Sequence, residues 1–206
     1  MENQYPNDQF ISIYLIHYPL YTLGPGERIG IWLQGCSIRC KGCLSSLSWR
    51  FDEKYQRSID GIIQYFQEIL SNKKSKIGLT VSGGEPFDQP KSLFTMLLAC
   101  SKIDIHDILV YSGYNYNYLK TKYDNILKYI DALVDGSFIK GKNTNYIWKG
   151  SENQRLYILS QKIEIRNIYE DYIKKAELQR TLQVIPYGKS IHILGIPEQS
   201  VLTGVK

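Results

Sequence analysis

No apolar run in this 206-residue chain approaches the ~20 residues that a membrane-spanning helix needs. The first ten residues, MENQYPNDQF, are polar and lack the apolar stretch of a leader peptide. No basic block is present either. The formal net charge is +5, but Lys and Arg are scattered, whereas a nucleic-acid surface needs them concentrated on one face. Internal repeats, low-complexity segments and a clear linker are missing too. Cysteine is scarce, with four residues, and His scarcer, with three. These absences predict a single domain spanning 1–206, cytoplasmic, with neither membrane nor nucleic acid as partner. Cysteines are reduced in that compartment, which counts against a disulfide framework. The 17 tyrosines follow the general richness in Ile, Lys, Asn and Tyr more simply than they follow a base-stacking platform.

What is present is an ordinary globular composition, 43% apolar, with alternating strand and helix patterns. FISIYLIHYPL (10–20) reads as a strand, and Gly24-Pro25-Gly26 as a turn. RIGIWLQG (28–35) reads as a buried strand. Residues 58–74 carry helical spacing at Ile62, Ile63, Phe66, Ile69 and Leu70, with Ser58 or Asp60 as the start. KIGLTVSGG (76–84) is a strand, 91–102 a helix, DILVYSG (107–113) a strand, 117–130 a helix and DALVDGSF (131–138) a strand. The strands are continuous apolar runs, as expected of a parallel sheet covered on both faces. The class is therefore α/β. From about residue 161 the character changes, with a partly helical stretch at 163–179 and a hairpin at 180–196 around Tyr187-Gly188-Lys189. In parallel sheets chemistry collects at the carboxyl ends of strands. Gly35-Cys36, Ser82 to Pro86, Ser112-Gly113 and Asp135-Gly136 all fall there.

Three of the four cysteines sit within eight residues, as Cys36-x3-Cys40-x2-Cys43. Three thiolates in one loop suit a soft metal or an iron–sulfur cluster. A structural zinc ion wants a fourth ligand. His17, His106, His192 and Cys100 are the candidates, none in a second ligand pair. Cys100 lies in the apolar segment FTMLLAC and reads as a core cysteine. A cluster held by three thiolates leaves one iron without a protein ligand, and open coordination is what makes a metal centre reactive. Arg39 and Lys41, between the cysteines, either offset the anionic cluster or are simply solvated.

The cysteine spacing resembles the cluster motif of radical S-adenosylmethionine enzymes. SGGEP (82–86), at the end of the next strand, is similar to that family's Gly-Gly-Glu-Pro motif. GPGERIGIWLQGC (24–36) resembles the signature of glycyl-radical-enzyme activases. DALVDGSF (131–138) and WKGSENQR (148–155) are similar to segments of the activators of anaerobic ribonucleotide reductase. Gly42, before the third cysteine, agrees with that subgroup. Leu23 departs from the Asp that activases often carry before Gly-Pro-Gly, and the tail from 161 is long for the subgroup.

The resemblance, which covers residues 22 to 160, implies a partial (βα) barrel of the radical S-adenosylmethionine type, mostly parallel, with a C-terminal hairpin extension. It implies two cofactors, a 4Fe–4S cluster and S-adenosylmethionine. Cys36, Cys40 and Cys43 would be the metal ligands. Gly83, Gly84, Glu85 and Pro86 would hold the methionine end, since glycines let backbone approach a ligand and Glu85 can receive an ammonium. Ser112 and Asp135 are expected contacts to the ribose or carboxylate, with a strand-end cap as the alternative. Asn153 and Arg155 would close the site or meet a partner, unless they only satisfy their own loop. The implied partners are a glycyl radical enzyme such as anaerobic ribonucleotide reductase, and a flavodoxin or ferredoxin as electron donor. Two other readings stand beside this one. The first is a small radical enzyme that modifies a peptide or metabolite directly, and the second is a non-catalytic zinc or iron–sulfur module.

Overall fold

A computed structural model describes residues 8–174, 180–187 and 190–197. A seven-stranded sheet organises the chain. Its centre is four parallel strands, β2 (Arg28–Leu33), β4 (Gly78–Gly83), β5 (Ile108–Tyr111) and β6 (Ala132–Asp135), paired in that order. Antiparallel strands border them. β1 (Phe10–Leu20) pairs with β2 and with the short β3 (Gln56–Ser58), and β7 (Arg155–Ile158) pairs with β6. The sheet is open, with β3 and β7 at its two edges.

Side chains alternate between two covered faces. Ile29, Ile31 and Leu33 of β2, with Leu79, Val81, Val110 and Leu133, enter the larger core. There they meet α1 (Ile59–Ser71), α2 (Pro90–Cys100) and α3 (Tyr116–Leu127). The intervening positions point to the opposite face. Leu109, Ala132 and Val134 meet Trp148 and, from α4 (Ile163–Lys174), Ile165, Tyr169 and Tyr172. Trp32 joins Leu15, Leu20, Leu23 and Leu194. Cover on both faces is why the central strands read as unbroken apolar runs.

The helices begin where the sequence supplies caps. The Ser58 hydroxyl accepts from Gly61 N–H at 3.4 Å, and the Asn115 side chain accepts from Tyr118 N–H at 2.9 Å. After α4 the described chain resumes as an antiparallel pair, β8 (Gln183–Tyr187) and β9 (Ser190–Leu194). This is the expected hairpin. Its turn residues Gly188 and Lys189, and residues 175–179 of the expected helical stretch, lie outside the described residues. The strands β3 and β7 were not anticipated. No helix among the described residues is long and apolar enough to cross a membrane.

Candidate functional site

The cysteine loop leaves β2 through Gly35, whose φ of 103° lies in the left-handed region. Its N–H donates to Ser48 O at 2.7 Å, and Cys36 N–H donates to Trp49 O at 3.0 Å. Ser37 anchors the loop to the far side of the site. Its N–H and hydroxyl donate to Asp88 at 2.6 and 3.0 Å, and Tyr114 OH donates to the same carboxylate at 2.9 Å. Gly42 has φ 80°, and a Cβ there would sit 3.2 Å from the Lys140 side chain. Glycine at this position is therefore a backbone requirement of the loop. Cys36 is buried, and Cys40 and Cys43 are half-buried.

Against this loop stands the end of β4. Glu85 N–H donates to Gly35 O at 2.9 Å, and Gly84 N–H to Leu33 O at 2.7 Å. The approach is so close that a Cβ on Gly84 would lie 2.1 Å from Gly35 O, and one on Gly83 2.4 Å from Leu33 N. Both glycines are needed to bring the two strand ends together. The Glu85 carboxyl is buried and held by three donors. Phe87 N–H and the Ser112 hydroxyl reach Oε1 at 3.0 and 2.8 Å, and Gly113 N–H reaches Oε2 at 2.7 Å. Burial pushes its pKa up to about 7, against the pull of those hydrogen bonds.

All three cysteines, Gly83, Gly84, Glu85, Ser112 and Gly113 line one cavity of about 180 Å³. Pro86 is buried and turns the chain away into a short helical turn, Pro86–Asp88. Asp135 lies to one side. Its carboxylate accepts from Tyr116 N–H at 2.7 Å and Arg155 N–H at 3.3 Å, and it lines a neighbouring hollow with Asn153 and Arg155. The WKGSENQR segment fastens the chain that leaves β6. Asn153 donates to Ser137 O at 2.9 Å, Gln154 donates to Gly136 O at 2.8 Å, and the Ser151 hydroxyl accepts from Ile139 N–H at 3.1 Å. Gln154, which sequence reasoning did not single out, lines the main cavity. Neither Cys100 nor any of the three histidines lines it. Cys100 is a core residue whose thiol burial pushes up to about 12.

Residues 22–157 match the family model described as a 4Fe-4S single cluster domain. The chain is also similar to the anaerobic ribonucleoside-triphosphate reductase-activating protein of Pasteurella multocida. Identity is 32% over 162 residues, covering 72% of this chain and 98% of that one. The proteins of that name from Haemophilus influenzae and Enterobacteria phage T4 are each 32% identical. They cover 70% and 68% of this chain, and 96% and 90% of their own. The chain belongs to this activating-protein family. Among solved structures, QueE from Escherichia coli is similar over 50% of this chain and 52% of its own, at 16% identity and a TM-score of 0.41.

As a member of the activating-protein family the chain is a radical S-adenosylmethionine enzyme of the activase type, with a 4Fe–4S cluster and S-adenosylmethionine as cofactors. The residues present fit them. Among the described residues no three Cys, His, Asp or Glu side chains converge as a single-ion site. A cubane cluster does not ask for that, because each thiolate takes a different iron. Burial raises the Cys36 and Cys40 thiols above their ordinary range, so a bound metal's positive charge is what would hold them as thiolates. Polar strand ends across the cavity supply acceptors for a cationic, hydrogen-bonding ligand.

A second buried network positions the loop before β2. Arg28 is fully buried, and donates to Asp107 at 2.7 and 3.1 Å, Thr80 at 2.6 Å, Leu79 O at 2.7 Å and Pro25 O at 3.0 Å. Burial works against its charge, but Tyr169 and Asp107 outweigh that and raise its pKa. Tyr169 OH also donates to Asp107, and Gly24 N–H donates to Tyr172 OH at 3.1 Å. Thus α4 grips the GPGER loop, which carries Leu23 to the cavity wall.

Proposed function

We propose that this chain generates a glycyl radical on a partner enzyme, anaerobic ribonucleoside-triphosphate reductase. The observation that carries the reading is the single cavity lined by Cys36, Cys40, Cys43 and the Gly83–Glu85 edge, in a chain that spans nearly the whole length of its relatives. When bound, the cluster and S-adenosylmethionine would supply one-electron reductive cleavage of the sulfonium carbon–sulfur bond and, with it, hydrogen-atom abstraction from the substrate glycine.

The chain's own residues hold and orient these groups. Cys36, Cys40 and Cys43 would ligate the cluster. Gly83 and Gly84 would bring backbone against the methionine end, and Glu85 would receive its ammonium. Three donors fix the Glu85 carboxylate in one orientation, so it needs no reordering on binding. An ammonium beside it favours the ionised form and offsets the cost of burial. Ser112 joins the same edge, and Asp135 holds the adjoining turn from which Gly136 reaches the cavity. The open sheet, parallel at its centre, would act as the partial barrel of the radical S-adenosylmethionine type, with 1–206 as one unit. A flavodoxin or ferredoxin would be the electron donor, and the cytoplasm the compartment.

Anaerobic reconstitution, reduction with dithionite and product analysis test the reading. Methionine and 5′-deoxyadenosine are expected, and Cys40→Ala should abolish both products and the brown colour of the cluster. Products without a glycyl radical on the reductase would favour direct modification of another substrate.

A further inference from the structure

The cavity has two chemically different halves. The thiols and the polar strand ends occupy one, with Ile38, Leu44 and Phe138 beside them. The other, formed by Leu23, Trp32, Tyr111, Gly195, Ile196 and Pro197, is apolar except for the Tyr111 hydroxyl, which is buried without a hydrogen-bond partner. No charged side chain belongs to that second wall. Half of it comes from the segment that follows β9, beyond residue 157 where the 4Fe-4S domain match ends. Relatives are covered almost completely by about seven-tenths of this chain. The residues proposed to hold the cofactors all lie inside the matched region, whereas Gly195, Ile196 and Pro197 of this wall lie outside it.

The wall is fixed. The Gln183 side chain accepts from Tyr21 N–H at 2.7 Å and donates to Pro19 O at 2.9 Å. Arg180 donates to Ile196 O at 3.1 Å and Thr144 O at 2.5 Å. Leu23, 5% exposed, shares an apolar cluster with Leu194, and Ile185 and Ile196 pack against that cluster. An Asp at position 23 would be buried there without its water. Leu23 and the long tail, two departures from the activase pattern, belong to one structural feature.

We infer that Ile196 and Pro197, with Leu23, Trp32 and Tyr111, form the substrate subsite, built for an uncharged, apolar-flanked backbone segment carrying the target glycine. This rests on the activase reading and narrows it. A charged small metabolite finds no counter-charge in this wall, while a neutral peptide loop loses little by leaving water there. The hairpin determines which substrate enters, and the cofactor edge is left unchanged.

The test uses the full-length, reconstituted protein with Ile196→Asp and Leu23→Asp, and the milder Ile196→Ala should either aspartate fail to fold. Two quantities are read: the dissociation constant for S-adenosylmethionine by equilibrium dialysis, and the reductase concentration giving half-maximal glycyl radical. The aspartates should raise the second by roughly tenfold or more, and Ile196→Ala by a few-fold, with the first unchanged within about twofold. Ile193→Ser, on the exposed face of β9, should alter neither. An unchanged reductase requirement overturns the inference. So does an equal loss of S-adenosylmethionine binding, which would assign this wall to the cofactor. A wild-type protein that cleaves S-adenosylmethionine but forms no radical on the reductase defeats the activase reading itself.

Discussion

Glu85 links the chemistry of the site to the stability of the chain. Burial raises its pKa from 4.5 to about 7, so the folded protein favours the protonated carboxyl. The resulting stability is fully present below pH 4.5 and is lost as pH rises through about 7. Its size is on the order of 3 kcal/mol. Denaturation midpoints of the cluster-free chain should therefore show a downward component across that window, and Glu85→Gln should lack it. The amide also sets a donor against Gly113 N–H, so the variant should be less stable at low pH by about 1–3 kcal/mol. Gly84→Ala should be harsher. Its Cβ would meet Gly35 O, a backbone atom 2.1 Å away, so the cysteine loop and β4 must part. Iron content after reconstitution should fall to near zero. Gly61→Ala, in α1 with only Ser58 Cβ at 3.9 Å, should instead stabilise by about 0.5 kcal/mol. Residue identities at the cysteines, Gly83, Gly84 and Glu85 were legible because they form short motifs at strand ends. The side-chain partners were not. Nothing local marks Ser112 as a donor to Glu85, or Asp135 as an acceptor for Tyr116 and Arg155.

Among the elements, the four central strands could be read from sequence because both faces are covered. The strands β3 and β7 could not. β3 is three exposed residues, and β7 alternates no better than a loop. Each becomes a strand by pairing with a neighbour distant in sequence. The same holds for Arg28, whose partners Asp107 and Tyr169 lie 79 and 141 positions away. Their network is where α4 locks onto the loop before β2. Asp107→Asn leaves a buried guanidinium without its counter-charge and should cost about 3–5 kcal/mol. The melting temperature should fall by roughly 10 °C. Tyr169→Phe removes one hydroxyl and should cost about 1 kcal/mol. Equal losses in the two variants would mean that the helix contact, not the ion pair, carries the stability.

For the whole molecule, two layers of cover on one sheet divide the labour. The helices α1, α2 and α3 supply the larger core, while α4 and the hairpin close the face that carries Trp32 and Tyr111. The cysteine motif and the Gly-Gly-Glu-Pro edge pointed to the chemistry, but not to the convergence of the tail on the same cavity, which depends on Leu23 meeting Leu194. The central claim is that this cavity serves hydrogen abstraction from a glycine of the reductase. Electron paramagnetic resonance tests it most directly. The reduced, reconstituted protein is incubated anaerobically with S-adenosylmethionine and the reductase, prepared once with ordinary and once with α-deuterated glycine. The account predicts a glycyl doublet in the first sample that collapses towards a singlet in the second, absent with Cys40→Ala. Methionine and 5′-deoxyadenosine formed without any such signal on the reductase would contradict it.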